Sequence, residues 1–260
     1  MQDEFSDRER SNSLIDLLKT IWRDFIDFLF PPSCQLCGKF SEKVVCDECA
    51  NSLETLDAGY CPVCERKIPA DIKLCPGGHH DGDNYIDFVR PLAPFDSPHR
   101  ELIHLLKYSG VVDVAKFFGE KIGEIVRNEL HFSDYDAFIP VPLHKNRHRE
   151  RRYNQAELIA EAASKRAKLP VLKDVVVRVR HTKSQTKLGA NERRANVRGA
   201  FAVVKPDEVA GRSFIVVDDV VTTGATTSEI AKELRKAGAK NVCAICIAHP
   251  TRDESKRYSI

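Results

Sequence analysis

Two adjacent carboxylates and a hydroxyl-rich turn form the part of this sequence with the clearest chemistry. An apolar run that ends at Val217 leads directly into Asp218 and Asp219. Two neighbouring carboxylates could accept hydrogen bonds from the vicinal hydroxyls of a ribose. The turn that follows consists of Thr222, Thr223, Gly224, Ala225 and Thr226.

This turn has the chemical features of a phosphate-binding segment. Gly224 lets the backbone approach a phosphate closely, and the threonines add hydroxyl donors. A helical pattern follows, and the first N–H groups of a helix lack partners within it and carry partial positive charge. The combination predicts a sugar-phosphate site. The simpler alternative is that the acids solvate a strand end and a threonine caps the helix.

A predicted strand at residues 137–141 ends in a cationic segment, PVPLHKNRHRERRYNQ. Arginine and lysine side chains at the carboxyl end of a core strand suit a polyphosphate, because they offset its concentrated charge. The alternatives are a solvated charged run and a non-specific nucleic-acid patch.

Four of the nine cysteines form two closely spaced pairs near the amino terminus. Cys34 and Cys37 form one C-x-x-C pair, and Cys46 and Cys49 form the next. This spacing is typical of a zinc ribbon and predicts a structural Zn²⁺ site.

A second set of three cysteines follows, namely Cys61, Cys64 and Cys75. Gly78 stands near the place where a fourth thiolate is expected, so His79 or His80 would complete a second site. Sequential pairing of the two sets is the simpler scheme, and an interleaved scheme stays open on spacing alone. Cys243 and Cys246 lie in a strand-like run, where residues three apart point to opposite faces, and are predicted to be core thiols.

Length, charge and composition limit which classes of protein this chain can belong to. The 260 residues suffice for one α/β domain and a small module, and a net charge of +2 gives no general preference for nucleic acid. No apolar run reaches the length of about 18 residues that a membrane span needs. The polar amino terminus is unlike a secretory signal, so we expect a cytoplasmic protein with metal-bound or buried cysteines.

The predicted organisation has four parts. Residues 1–30 contain an amphipathic helix, residues 31–82 a zinc-ribbon module, residues 83–250 an α/β domain, and residues 251–260 a tail. In the α/β domain, strands rich in Val and Ile alternate with helices, which predicts a mostly parallel sheet flanked by helices. The leading helix is expected to pack on this chain, with membrane-surface or partner docking as the alternative.

A long polar segment at residues 180–199 is predicted to be a functional loop that closes over the site. A disordered basic loop is the alternative.

The segment VVDDVVTTGATT resembles the motif of type I phosphoribosyltransferases that binds phosphoribosyl pyrophosphate (PRPP). Together with PVPLHKNRHRERRYNQAE, TKSQTKL, ERRANVRGAF and the paired cysteine knuckles, it is similar to the ComF family, which includes proteins of the ComFC and GntX types. The similarity covers nearly all of residues 31–250. It implies a type I phosphoribosyltransferase-like fold behind a zinc ribbon.

The resemblance also implies roles for individual residues. Asp218 and Asp219 would be the catalytic acid pair that holds the ribose, and the turn at residues 222–226 would hold the 5′-phosphate. The pyrophosphate loop would comprise Leu143, His144, Lys145, Asn146 and Arg147. A mobile hood near the acceptor, with Lys107 and Tyr108 close by, would contain Thr182, Gln185, Leu188, Arg193, Arg194 and Asn196.

The function implied by the resemblance is Mg²⁺-dependent binding of PRPP and phosphoribosyl transfer to an unspecified acceptor, in connection with DNA uptake. Zn²⁺ would occupy one or two structural sites. The competing hypothesis is a non-catalytic adaptor that binds single-stranded DNA through its arginines, or a partner of competence proteins such as a ComF-type helicase. Tyr153 is the only aromatic residue within either basic run, which weakens the DNA interpretation.

Overall fold

Six of the described strands form one sheet. The computed structural model describes residues 31–62, 66–69, 85–144, 152–180, 182 and 190–250. In these ranges the strands are β1 (Gly59–Tyr60), β2 (Lys67–Ile68), β3 (Val89–Pro94), β4 (Ala137–Pro140), β5 (Val176–Arg178), β6 (Phe201–Val203), β7 (Ser213–Val220) and β8 (Asn241–His249). The α-helices are α1 (Asp47–Ser52), α2 (His99–His104), α3 (Asp113–Asn128), α4 (Gln155–Ala167), α5 (Ala190–Val197) and α6 (Ala225–Lys236).

The strand order of the central sheet brings the sequence-distant segments together. The order is β2-β1-β3-β8-β7-β4, and β5 pairs with β6 in a separate hairpin. Strands β3, β8, β7 and β4 are parallel, whereas β1 is antiparallel to both β2 and β3. The predicted mostly parallel sheet is thereby confirmed. Because parallel strands end at the same edge, the segments that follow β4, β7 and β8 converge there.

Strand β7 is buried on both faces, which accounts for its continuous run of apolar residues. Phe214 and Val216 belong to one hydrophobic cluster with Ile230 of α6. Because side chains alternate along a strand, Ile215 and Val217 point to the opposite face of the sheet. Helix α4 also packs against β7. Both faces therefore hold the strand in place up to the point where its polar residues begin.

The predicted strand at residues 137–141 corresponds to β4, which ends one residue earlier. The sequence HRELIHLLKY, at residues 99–108, has the periodicity of one α-helix. It is α-helical only over α2 and continues as a π-helical turn at Leu105–Ser109. Gly110 ends this turn at φ +74°, in the left-handed region that glycine adopts most easily. A helix, α5, also lies inside the segment expected to be a loop.

Two compact units divide the chain between Ser52 and Leu53. In the first unit an isolated antiparallel bridge joins Ser33 to Phe40, and helix α1 follows. The predicted amphipathic helix within residues 1–30 and the tail at 251–260 lie outside the described residues. Within the described ranges, no helix combines the length and the apolar character that crossing a membrane requires.

Helices α3 and α4 approach each other closely at a glycine. A Cβ atom added to Gly119 would lie 2.6 Å from the Cβ of Ala162 and 2.6 Å from the backbone oxygen of Ile159. Neither atom belongs to a flexible side chain that could turn away. The glycine is therefore required by the distance between the two helices.

We expect Gly119→Ala to lower the free energy of unfolding by about 1–3 kcal/mol, because the added methyl group overpacks the helix contact. Alanine favours a helix over glycine by about 1 kcal/mol, which the clash must outweigh. Urea denaturation measures the difference. Lys116→Ala, an exposed change on the same helix, is the control and should be nearly neutral. A Gly119→Ala protein as stable as the wild type would contradict this packing argument.

Candidate functional site

The acid pair lies at the carboxyl-terminal end of β7, at the edge where the parallel strands converge. Asp219 is 9% exposed, and Asp218 is partly exposed. The backbone N–H of Asp219 donates a hydrogen bond to Oδ1 of Asp218 over 2.9 Å. The sheet thus fixes two carboxylates next to each other at the end of a strand that is otherwise buried.

A lysine neutralises the second acid of the pair. Nζ of Lys107 lies 2.7 Å from Oδ1 of Asp219, and the two side chains are only 20% and 12% exposed. Limited exposure strengthens the Coulomb attraction between the two charges, while it also adds to the cost of desolvating them. Lys107 comes from the π-helical turn, a geometry that is frequent at functional sites.

The first acid has an unusual affinity for protons. Burial and the neighbouring charge of Asp219 raise the pKa of Asp218 to about 7. Lys107, the backbone N–H of Asp219 and Arg178 oppose this rise. Near neutral pH the Asp218 carboxyl therefore exchanges readily between its neutral and charged forms. Hydrogen-bond donors or a cation from a ligand would favour the charged form.

Helix α6 begins directly after the turn that follows the acid pair, and the first N–H groups of a helix have no acceptor within that helix. Gly224 has φ +68° and immediately precedes the first helical residue, Ala225. The carbonyl of Gly224 accepts hydrogen bonds from the Thr227 hydroxyl, at 3.0 Å, and from the Ser228 N–H, at 2.8 Å. The first turn of α6 contains no acidic residue, so its partial positive charge is not offset there.

An open cavity joins the first acid to this turn. Its lining consists of Asp218, Val220, Val221, Thr222, Gly224, Ala225, Thr226 and Thr227. The structure therefore brings most of the predicted phosphate-turn residues to one concave surface. The side chain of Thr223 is placed differently, since its Oγ1 is buried and has no hydrogen-bond partner within the described residues.

Helix α5 contacts the turn at residues 222–226, the predicted phosphate turn. Nη1 of Arg193 donates a hydrogen bond to Oγ1 of Thr222 over 3.0 Å. Arg194 on the same helix is exposed, and the backbone oxygen of Asn196 accepts from Arg180 at 3.0 Å. Of these three predicted hood residues, Arg193 is the one that these contacts bring to the turn.

The remaining predicted site residues fall into two groups. Leu143 and His144 follow β4 and are partly exposed. Thr182 is 4% exposed, and its hydroxyl accepts a hydrogen bond from Arg178. The other group lies outside the described residues and comprises Lys145, Asn146, Arg147, Gln185 and Leu188.

Two basic residues act on the acid pair, and the sequence alone did not indicate which side chains they contact. The family resemblance placed Lys107 near the hood, and the structure gives it a carboxylate partner, Asp219. Arg178 ends β5 and was not singled out, although its charge acts on Asp218. A lone basic residue at the end of a short element is too common to indicate such a role.

The first four cysteines form a cluster suited to a tetrahedral metal ion. The sulfur atoms of Cys34, Cys37, Cys46 and Cys49 all lie within 4.8 Å of one another. A tetrahedral site with Zn–S bonds of about 2.3 Å requires sulfur–sulfur distances of about 3.8 Å. The Sγ atoms of Cys37 and Cys46 are 3.8 Å apart. These residues therefore fit Zn²⁺ in both donor type and spacing.

Local hydrogen bonds prepare one of these thiols for ionisation. Burial disfavours the thiolate of Cys34, but backbone N–H donors, first among them that of Cys46, outweigh it and lower the pKa to about 6. A thiolate is the form that binds a metal.

The second predicted metal site is described only at its first residue. Cys61 is fully buried, and its N–H donates to the backbone oxygen of Arg66 at 2.9 Å. Cys64, Cys75, His79 and His80 lie outside the described residues. Cys243 and Cys246 are fully buried, as expected of core thiols.

Known proteins match most of the chain. The family model of a double zinc ribbon domain matches residues 25–77, and that of a phosphoribosyl transferase domain matches residues 154–260. The chain is 32% identical over 201 residues to Competence protein F of Haemophilus influenzae. The aligned region covers 76% of this chain and 81% of that protein. It is 33% identical over 205 residues to DNA utilization protein YhgH of Shigella flexneri, with coverages of 73% and 89%. Competence protein ComFC of Streptococcus pneumoniae is 23% identical over 225 residues, with coverages of 80% and 96%.

The raised pKa of Asp218 predicts a pH-dependent stability. A carboxyl with a pKa of about 7 in the folded protein and an ordinary value of 3.8 binds protons more tightly when folded. Its contribution to stability therefore falls as pH rises from about 4 to about 7, and the loss is complete above that range. Because Asp218→Asn removes the unfavourable charge, we expect it to raise the melting temperature at pH 8 by at least about 2 °C.

The same substitution should change the melting temperature less at pH 5, where the wild-type carboxyl is mostly neutral. Asp207→Asn, at an exposed acid, is the control and should show no such pH dependence. Differential scanning calorimetry in magnesium-free buffer makes the comparison. A lower melting temperature for Asp218→Asn at pH 8 would show that the charge of Asp218 is not costly in the fold.

The cysteine cluster predicts the metal content of the protein. We expect Cys37→Ser and Cys46→Ser each to lose about one zinc ion per chain, because each removes one of four thiolate ligands. Cys243→Ala removes a buried thiol away from the cluster and should keep the wild-type content. Mass spectrometry of the metal in purified protein measures it. Equal zinc content in the wild type and all three variants would exclude the cluster as a zinc site.

Proposed function

Because the chain belongs to the ComF family, we propose that it binds PRPP with Mg²⁺ and transfers the phosphoribosyl group to an acceptor during the handling of DNA. The observation that carries this proposal is the convergence of three features at one sheet edge. They are the acid pair of β7, the cationic partner Lys107, and the N–H-rich start of α6. The names of the relatives, Competence protein F and DNA utilization protein, support the connection to DNA.

The acid pair would bind the ribose. Vicinal hydroxyls are good donors to two carboxylates fixed side by side. Lys107 reduces the repulsion between the acids through its 2.7 Å contact with Asp219.

The turn and the start of α6 would bind the 5′-phosphate. A phosphate oxygen at this helix start would accept hydrogen bonds from the first N–H groups, which have no acceptor within the helix. Arg193 is already hydrogen-bonded to Thr222, so a cationic side chain is within the same site. The buried hydroxyl of Thr223 would gain a partner from a phosphate that the turn enclosed.

The donor set of this edge also fits Mg²⁺. Magnesium prefers oxygen ligands and is commonly bound by one or two carboxylates together with substrate phosphates. Asp218 and Asp219 supply such carboxylates. When bound, the ion would neutralise charge on the pyrophosphate leaving group. Leu143 and His144 follow the neighbouring strand β4, and the proposed pyrophosphate loop continues from them.

Transfer would proceed by cleavage of the bond between the ribose C1 and the pyrophosphate oxygen, with the acceptor forming the new bond at C1. The transition state has oxocarbenium character, so the protein acts by positioning the reactants and stabilising charge. The carboxylates hold the ribose, while the helix start and Arg193 hold its phosphate. The acceptor is defined by none of these contacts.

Calorimetric titration of Mg²⁺-PRPP into the protein tests this proposal. We expect wild-type binding and an affinity at least about 100-fold weaker for Asp218→Asn/Asp219→Asn, because hydrogen bonds to a charged group contribute about 1.5–3 kcal/mol each. The matched control is Asp113→Asn/Asp207→Asn, which removes two charges at exposed positions. It should bind as the wild type does.

Absence of PRPP binding by folded, zinc-loaded wild-type protein would refute the proposal. The competing function is then tested with a single-stranded oligonucleotide. Binding that weakens steeply with salt and is unchanged in the acid-pair variant would favour a DNA-binding adaptor.

A further inference from the structure

A stacked pair of aromatic rings connects strand β1 to the end of β8. The ring centroids of Tyr60 and His249 are 4.1 Å apart, with an angle of 29° between the ring planes. The Tyr60 hydroxyl lies 2.9 Å from Nδ1 of His249. Both residues are partly buried. The stacking and the polar contact together fix the orientation of the imidazole ring.

The same imidazole nitrogen holds the backbone at the start of the phosphate turn. Nδ1 of His249 lies 2.6 Å from the carbonyl oxygen of Val221. A carbonyl oxygen only accepts hydrogen bonds, so this contact requires the proton to be on Nδ1. The Tyr60 oxygen lies within reach of the same N–H group.

Val221 is held at both of its backbone polar groups by the end of β8. Its N–H donates to the carbonyl of Ala248 over 3.2 Å, and its carbonyl accepts from His249. The residue is 3% exposed and directly precedes Thr222. The direction in which the chain leaves β7 and enters the turn is therefore set by these two contacts.

The chain that follows β1 also approaches the turn. A Cβ atom placed on Gly224 would lie 4.0 Å from the Cβ of Pro62, an ordinary contact distance. Tyr60 itself pairs with Lys67 of β2 and with Val89 of β3. Tyr60 is therefore linked through His249 to Val221, which directly precedes the turn, and Pro62 lies beside Gly224 within the turn.

We propose that Tyr60 and His249 are positioning residues for the phosphate turn. They hold the carbonyl of Val221, and through it they aim the N–H groups at the start of α6 toward a phosphate monoester. The ligand part of this inference rests on the proposed function. The positioning part concerns the free protein and can be tested without any ligand.

Three variants separate the contacts. Tyr60→Phe keeps the stacking and removes the hydroxyl. His249→Phe keeps an aromatic ring and removes the N–H donor, whereas His249→Asn places an amide N–H near the position of Nδ1. Tyr85→Phe is the matched control, because Tyr85 is also partly buried but lies before β3, at the opposite edge of the sheet.

The first readout is hydrogen–deuterium exchange of the free protein over the peptide at residues 217–228. We expect faster exchange there in Tyr60→Phe and still faster exchange in His249→Phe, with the peptides of α3 and α4 unchanged. His249→Asn should restore most of the protection, and Tyr85→Phe should match the wild type. Unchanged exchange of this peptide in His249→Phe, or an equal increase in Tyr85→Phe, overturns the proposal.

The second readout is the dissociation constant for Mg²⁺-PRPP and for ribose 5-phosphate. We expect an increase of about 2- to 12-fold for Tyr60→Phe and about 5- to 150-fold for His249→Phe, which leaves a buried carbonyl without its donor. Altered exchange with wild-type affinity would overturn the role in ligand binding. If wild-type protein binds neither compound, the PRPP proposal fails, while the exchange comparison still decides the positioning role.

Discussion

The ion pair between Lys107 and Asp219 is the interaction on which the candidate site depends. Two carboxylates at the end of a buried strand repel each other, and burial adds to the cost of charging them. The 2.7 Å contact with Lys107 offsets part of that cost from within the site. The remaining cost is visible at Asp218, whose pKa is raised to about 7. The fold thus tolerates an acid pair whose charge is only partly compensated.

The surrounding elements place this acid pair opposite groups of the other sign. The parallel register of β7 with β4 and β8 brings the acids and the phosphate turn to one edge. The π-helical turn contributes Lys107, and helix α5 contributes Arg193. A negative acid pair and a turn at a positive helix start thereby lie a few residues apart. This polarity matches a sugar phosphate better than a uniformly charged polymer.

The sequence predicted the parts of the site that are local in the chain. The strand, the acid pair and the turn are contiguous, so periodicity and residue type were enough to place them. The cysteine cluster was predictable because metal ligation imposes a fixed spacing. Lys107 and Tyr60 could not be assigned partners, because their contacts join distant segments through the sheet. The π-helical turn was missed because its first residues follow the same periodicity as an α-helix.

The strand order also determines when the site can form during folding. Strand β8 lies between β3 and β7, although it is the last of the described strands in the chain. Strand β3 therefore has no neighbour on its β8 side until residues 241–249 are available. Contacts of such long sequence separation slow folding, because a large loop must close before they form. A nascent chain that lacks β8 would expose the edges of β3 and β7, and such edges are prone to pair with other chains.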